Sequence, residues 1–286
     1  MDTRPALPPL FISHGSPMTA LEPREAGAFM QRLGPALERA CGRPRAILAV
    51  SAHTLRREPV LLGAARHAAV YDFGGFDPRL NTLRYDAPGA PALAQAVATR
   101  LREAGLPVHL FDESGLDHGI WTPLRYMFPE ADIPVLPLGW PPHWSPAQLL
   151  ALGGALAPLA GEGVLVMGSG SLTHNLQRVF AGGRMTVDRP ATPESTAFRA
   201  WFEARAAARD WDALANYRSR APHAVLMHPT DEHLLPWFVA AGAGGEQDAA
   251  RRIHASLTFG DLAMDAYAFG PGAAALAQAL SPALAA

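Results

Sequence analysis

Lysine is missing from the chain: all 24 of its basic residues are arginine. Schiff-base chemistry, which needs a lysine amine, is thereby excluded. Set beside the abundance of alanine, glycine and proline, the absence reads as codon bias. Cysteine is nearly missing too. Cys41 stands alone, so no intrachain disulfide can form, and its neighbours do not make a nucleophile's partner set. The opening residues, Met1-Asp2-Thr3-Arg4-Pro5, have no signal-peptide character, and no apolar run is long enough to span a bilayer. A formal net charge of −2 leaves no electrostatic footprint for nucleic acid or an anionic membrane. A cytoplasmic protein with neither kind of partner is expected. Compact catalytic motifs are also lacking. There is no H-E-x-x-H, no phosphate loop with its lysine, and no G-x-S-x-G elbow around Ser16 or Ser169.

What is present is enough apolar sequence for a sizeable core: 49% hydrophobic against 17% charged residues over 286 positions. Short apolar runs, Pro9–Ser13, Ala46–Ala52, Ile133–Leu138 and Gly163–Met167, show no strict polar alternation. Runs of that kind fit strands covered on both faces. Helical patterns lie between and after them, over about Glu25–Ala40, Ala90–Ala104, Pro146–Ala160, Glu194–Arg209 and Asp231–Ala241. Arg252–Phe259 and Asp265–Phe269 read as late strands. The alternation predicts an α/β fold in one domain over residues 1–286, a mostly parallel central sheet flanked by helices. Gly182, Gly183 and Pro190 make Ala181–Pro193 the segment expected to be mobile.

Eleven histidines are distributed unevenly. His14 and His53 each fall where an apolar run gives way to a turn, and His174 follows a third run by a few residues. Ligands of open α/β sheets gather outside the carboxyl ends of the strands, so these imidazoles are placed to converge. His118, in Leu116-Asp117-His118-Gly119, precedes a short helix. His233 closes His228-Pro229-Thr230-Asp231-Glu232-His233, where Thr230 is a helix N-cap candidate. A lone strand-end histidine is usually an ordinary rim or core residue. Repetition of the pattern at several strand ends is what packing does not require, and imidazole is the commonest metal ligand. His67, His109, His143, His223 and His254 lack the glycine context and read as structural or surface residues, with His228 undecided. Gly168-Ser169-Gly170-Ser171 reads as a place where backbone approaches the site closely.

Seven segments in order carry a family resemblance. They are Ser13-His14-Gly15-Ser16-Pro17, Val50-Ser51-Ala52-His53, Tyr71-Asp72-Phe73-Gly74-Gly75-Phe76, Tyr85-Asp86-Ala87-Pro88-Gly89, Leu116-Asp117-His118-Gly119, Gly168–Asn175 and His228–His233. Together they resemble the DOPA-dioxygenase type of class III extradiol ring-cleaving dioxygenases, similar in fold to the catalytic subunit of protocatechuate 4,5-dioxygenase. The resemblance runs from about residue 9 to residue 269. It implies one metal bound by His14, His53 and His233, with His174 as a fourth ligand or a base, His118 facing the substrate, and Glu232 as a reserve ligand. It further implies Fe(II) as working metal, with Zn(II) able to occupy the same site, and a catechol and dioxygen as partners. The product would be a muconic semialdehyde, and the protein a monomer or small homo-oligomer. Thr54 stands where the family has an aromatic residue, which bears on pocket shape. Asp117 is the carboxylate in sequence next to His118 and would raise its basicity if the side chains meet. A zinc hydrolase using Glu232 as base, and a binding protein on the same fold, are the rival readings.

Overall fold

The computed structural model describes residues 5–180 and 186–281. The apolar runs form strands β1 (Leu10–Ser13), β2 (Ala46–Ser51), β5 (Val135–Gly139) and β6 (Val164–Gly170), each buried along its whole length. Shorter strands β3 (Val60–Leu62), β4 (His109–Phe111), β7 (Arg251–His254) and β8 (Ala266–Ala268) complete one sheet, in the order β4-β3-β5-β2-β6-β1-β8-β7. The four central strands are mutually parallel. At one edge β3 and β4 run antiparallel to β5. At the other, β8 runs antiparallel to both β1 and β7. The sheet is mixed but mostly parallel at its centre, as the unalternating runs predict.

Two-residue periodicity sends successive side chains to opposite faces, and each face builds its own core. Along β2, Ala46, Leu48 and Val50 join one cluster, while Ile47 and Ala49 join the other. Helices α1 (Arg24–Cys41), α3 (His118–Met127) and α7 (Ala273–Leu280) pack together on one side. On the other, α4 (Pro146–Leu156) lies against α2 (Pro91–Glu103) and α6 (Pro236–Gly244). Helix α5 (Pro193–Ala208) adds Phe198 and Phe202 to that second core.

Three expected boundaries shift, each for a local reason. The helix expected from Asp231 begins only at Pro236, and Asp231–Leu235 is a turn whose Asp231 carbonyl accepts from Leu234 and Leu235. Proline has no N–H for the ladder, so it opens a helix instead of continuing one. Thr230 does not cap; its hydroxyl bonds Glu232. The helix from Pro146 tightens to a 3-10 turn at Ala157–Ala160, where Pro158 interrupts the ladder. The run Arg252–Phe259 divides, because Leu257–Thr258 leaves the sheet edge to pair with Leu262–Ala263 in a small hairpin. Of the segment expected to be mobile, 181–185 lies outside the described residues. The remainder is pinned: Val187 accepts from the Phe259 N–H, and Thr192 donates its N–H to Gly260. Among the described residues no helix is long and apolar enough to cross a membrane.

Candidate metal centre and active site

Strands β1, β2 and β6 end level with one another, Ser13 opposite Gly170 and Ser51 opposite Ser169. His14 is the next residue after β1, and His53 follows β2 by two. The Asp231–Leu235 turn brings His233 to the same edge by lying directly on β6. Ser171 donates its N–H to the His233 carbonyl at 2.8 Å, and a Cβ on Gly170 would sit 1.9 Å from that oxygen. Only glycine permits this approach, as expected for the Gly-Ser-Gly-Ser segment, although β6 itself continues through Gly170.

One ring nitrogen from each of His14, His53 and His233 lies within 4.8 Å of the others. Each ring has its Nδ1 turned to an oxygen: His14 to Ser169 Oγ at 3.0 Å, His53 to Asp72 at 3.5 Å, His233 to Glu232 at 2.9 Å. The Ser169 hydroxyl donates its one proton to the Gly119 carbonyl, so it accepts from His14, whose Nδ1 carries the hydrogen. Nδ1 held this way leaves Nε2 bare, the usual arrangement behind a metal-bound histidine. His14 Nε2 and His53 Nε2 face one another at 3.1 Å. Burial above all, then the adjacent imidazoles, pushes His14 and His233 well below the ordinary histidine range. His53 is lowered for the same reasons, against opposing carboxylates. Neutral imidazoles are the ligating form, so the donor set fits a divalent metal.

His118 opens α3, and its ring stands 4.1 Å from that of His53. Its carboxylate partner is Asp72, not Asp117. Asp72 meets His118 Nδ1 at 3.0 and 3.1 Å and also accepts its backbone N–H at 3.0 Å. Burial works against the Asp72 anion, but the His118 bonds and charge outweigh it and hold the carboxyl below its usual range. Asp117 turns away to Ser51 Oγ at 2.7 Å and to Thr54 Oγ1. Thr54 is therefore a buried partner of Asp117 and does not line the cavity beside the histidines. Its effect on the cavity wall is indirect.

His174 stacks on His233 with ring centres 3.5 Å apart, and burial lowers it to about 4. Its nearest potential ligand atoms belong to Glu232 and His233 rather than to His14 and His53. Glu232, in turn, is committed to His233 Nδ1. His228 is fully buried behind the site, bonding the Leu172 carbonyl at 2.9 Å. His67, His109, His143, His223 and His254 are not among the residues that line the cavity. Asp72 and Ser169 lie in two of the family segments, but their sequence context assigns them no partner. Only the fold shows that they meet His118 and His14, since 46 and 155 residues separate them.

Comparison with known proteins points to one family. Residues 8–270 match the family described as the catalytic LigB subunit of aromatic ring-opening dioxygenase. A Beta vulgaris protein named 4,5-DOPA dioxygenase extradiol is 37% identical over 261 residues, 91% of this chain and 95% of the relative. An Escherichia coli (strain K12) protein of the same name is 35% identical over 262 residues, 90% and 93% respectively. The crystal structure of an uncharacterized Escherichia coli K12 protein superposes with a TM-score of 0.73 at 30% identity, covering 92% of this chain and all of that one. The chain belongs to the LigB family and is an oxidoreductase of the extradiol, aromatic ring-opening dioxygenase kind.

Proposed function

We propose that the protein opens the ring of a substituted catechol, of the DOPA or caffeate kind, inserting both atoms of dioxygen to yield a muconic semialdehyde. In this reading Fe(II) is the working metal, held by His14, His53 and His233. The observation that carries it is the convergence of three imidazoles, two buried and His53 half-buried, with Nδ1 of His14 and His233 held by an oxygen and that of His53 3.5 Å from Asp72. Such a metal would supply the electron relay that triplet oxygen needs to react with a singlet catechol.

The chain's own residues do the rest. His118 takes a catechol hydroxyl proton on its bare Nε2, and Asp72 holds the ring's tautomer and stabilises the imidazolium that forms. His174 stays neutral and acts beside the metal as a hydrogen-bonding group, with Glu232 orienting His233. Apolar side chains in front of the histidines, Phe73 and Phe76 among them, keep water from the reacting ring. A hydrolase would need a carboxylate free to serve as base, and Glu232 is already engaged. We also infer one catalytic domain over residues 1–286, a cytoplasmic location, and a monomer or small homo-oligomer.

Anaerobic reconstitution with ferrous iron, followed by oxygen-uptake assays on a catechol panel, tests the reading. One dioxygen should be consumed per catechol, with a yellow conjugated product. Zinc-loaded protein should be inactive because zinc has no redox chemistry. No uptake with any catechol, together with ester or amide cleavage by the zinc form, would replace the dioxygenase reading by a hydrolase.

A further inference from the structure

Asp72, His118 and His53 make a second convergent set beside the first, each offering a ligand atom within 4.8 Å of the others. The Asp72 carboxylate is 3.0 and 3.1 Å from His118 Nδ1 and 3.5 Å from His53 Nδ1. For His53 this is the nitrogen turned away from the first set, since its Nε2 faces His14. An imidazole lone pair lies in the ring plane, so two rings share an ion only where their planes cross. The planes of His53 and His118 are tilted by 45° and do cross. Glu232, His174 and His233 form a similar triad. There the two rings are stacked 3.5 Å apart and only 8° from parallel, so their lone pairs do not converge.

The loop around Asp72 is pinned in this position. The Tyr71 hydroxyl donates to the Leu83 carbonyl at 2.7 Å, and Asp72 accepts the His118 backbone N–H at 3.0 Å. The Phe73 ring meets His118 edge to face at 5.5 Å. Donors held this way need little reorganisation to take a cation. The Asp72 side chain is 23% exposed, which gives an ion a way in without unfolding. Two imidazoles and one carboxylate are a zinc ligand set, with the fourth position left to water. Magnesium and calcium prefer oxygen ligands throughout.

On the reading that this site opens catechols, we propose that Asp72, His118 and His53 bind a second divalent ion, zinc by ligand type, which silences the His118 base. With Nδ1 taken, His118 carries its hydrogen on Nε2, the nitrogen that receives the catechol proton. No lone pair is left there to accept it. His53 releases its Nδ1 proton to water, and its ring then spans both sets. Inhibition by this route leaves the first set of ligands, and the iron they hold, in place.

The test counts metals. Iron-loaded protein is dialysed to equilibrium against excess zinc without oxygen, and both metals are measured by elemental analysis. About one zinc should be gained per chain while about one iron stays. Catechol turnover should fall with zinc uptake, by about two to four orders of magnitude at saturation. Asp72→Asn should lose the second zinc, and Glu232→Gln should keep it. Should Asp72→Asn lack native circular dichroism, His118→Gln takes its place. His14→Ala, which breaks only the first set, should lose iron yet still take up about one zinc. Zinc replacing iron one for one would overturn the second site, as would a second zinc untouched by Asp72→Asn. Two ions bound with turnover intact would overturn the silencing of His118. If no catechol is opened, the dioxygenase reading falls, and the zinc count still decides the site.

Discussion

His14 and His118 sit 5.2 Å apart, ring centre to ring centre, yet their surroundings give them different work. His14 is enclosed, its Nδ1 on a serine hydroxyl and its Nε2 facing His53, which is a ligand's position. His118 keeps its Nδ1 on the Asp72 carboxylate and lines the cavity, the position of a group that meets substrate. His14→Ala should therefore remove most of the bound iron, read by elemental analysis, while circular dichroism stays native. His118→Ala should keep its iron but lose turnover by about two to four orders of magnitude, the usual worth of a positioned base. Ser169→Ala tests the tautomer argument. Without its Nδ1 acceptor, His14 should hold metal about 10- to 100-fold more weakly, measured by competition with a chelator.

At the scale of elements, close backbone packing holds the site's platform in place. Helix α6, which follows the His233 turn, lies so near α4 that a Cβ on Gly242 would stand 2.1 Å from the Leu150 carbonyl. A backbone oxygen cannot swing aside as a side chain can. Gly242→Ala should accordingly cost about 3 kcal/mol through overpacking. Gly154 lies in the same helix pair but has open space where its Cβ would be. Gly154→Ala should instead stabilise the protein by about 0.5–1 kcal/mol, since glycine loses more backbone freedom on helix formation. Urea midpoints of the two variants should move in opposite directions. Equal shifts would show that helix contact is not what requires the glycine.

For the molecule as a whole, the histidine-lined interior makes acid its weak point. His228 is fully buried, and desolvation brings it down to about 4. The unfolded chain takes up a proton near the ordinary value of about 6.5, whereas the folded chain resists until about 4. Stability from this group is complete above the unfolded value and declines as pH falls toward the folded one. By linkage, His228 alone should cost about 2 kcal/mol between pH 7.5 and pH 5. His14, His53, His174 and His233 shift in the same direction and add to the loss. Metal-free protein should therefore lose urea resistance steeply below about pH 6.5, and His228→Gln should flatten that dependence.

The α/β fold and the candidate ligands were legible in the sequence because both rest on local pattern. Unalternating apolar runs mean strands covered on two faces, and His14 and His53 follow directly where two such runs end. His174, His118 and His233 sit in short segments whose order along the chain carries the family. Partnership was not legible. Asp117 adjoins His118 in sequence, but a helix N-terminus directs the two side chains apart, and Asp72 reaches the imidazole from a separate loop. The residue type at Thr54 bears on pocket shape, but only the fold shows that it faces Asp117. The apolar pattern extends the helix back to Asp231 because periodicity does not register the missing N–H of Pro236, where the helix begins. Phe259 and Leu262 likewise reach the cavity lining only because a hairpin leaves the sheet edge. Sequence determined which residues are available for chemistry. Tertiary structure decided which acceptor each imidazole faces, because hydrogen-bond partners are chosen by proximity in space across separations of tens to hundreds of residues.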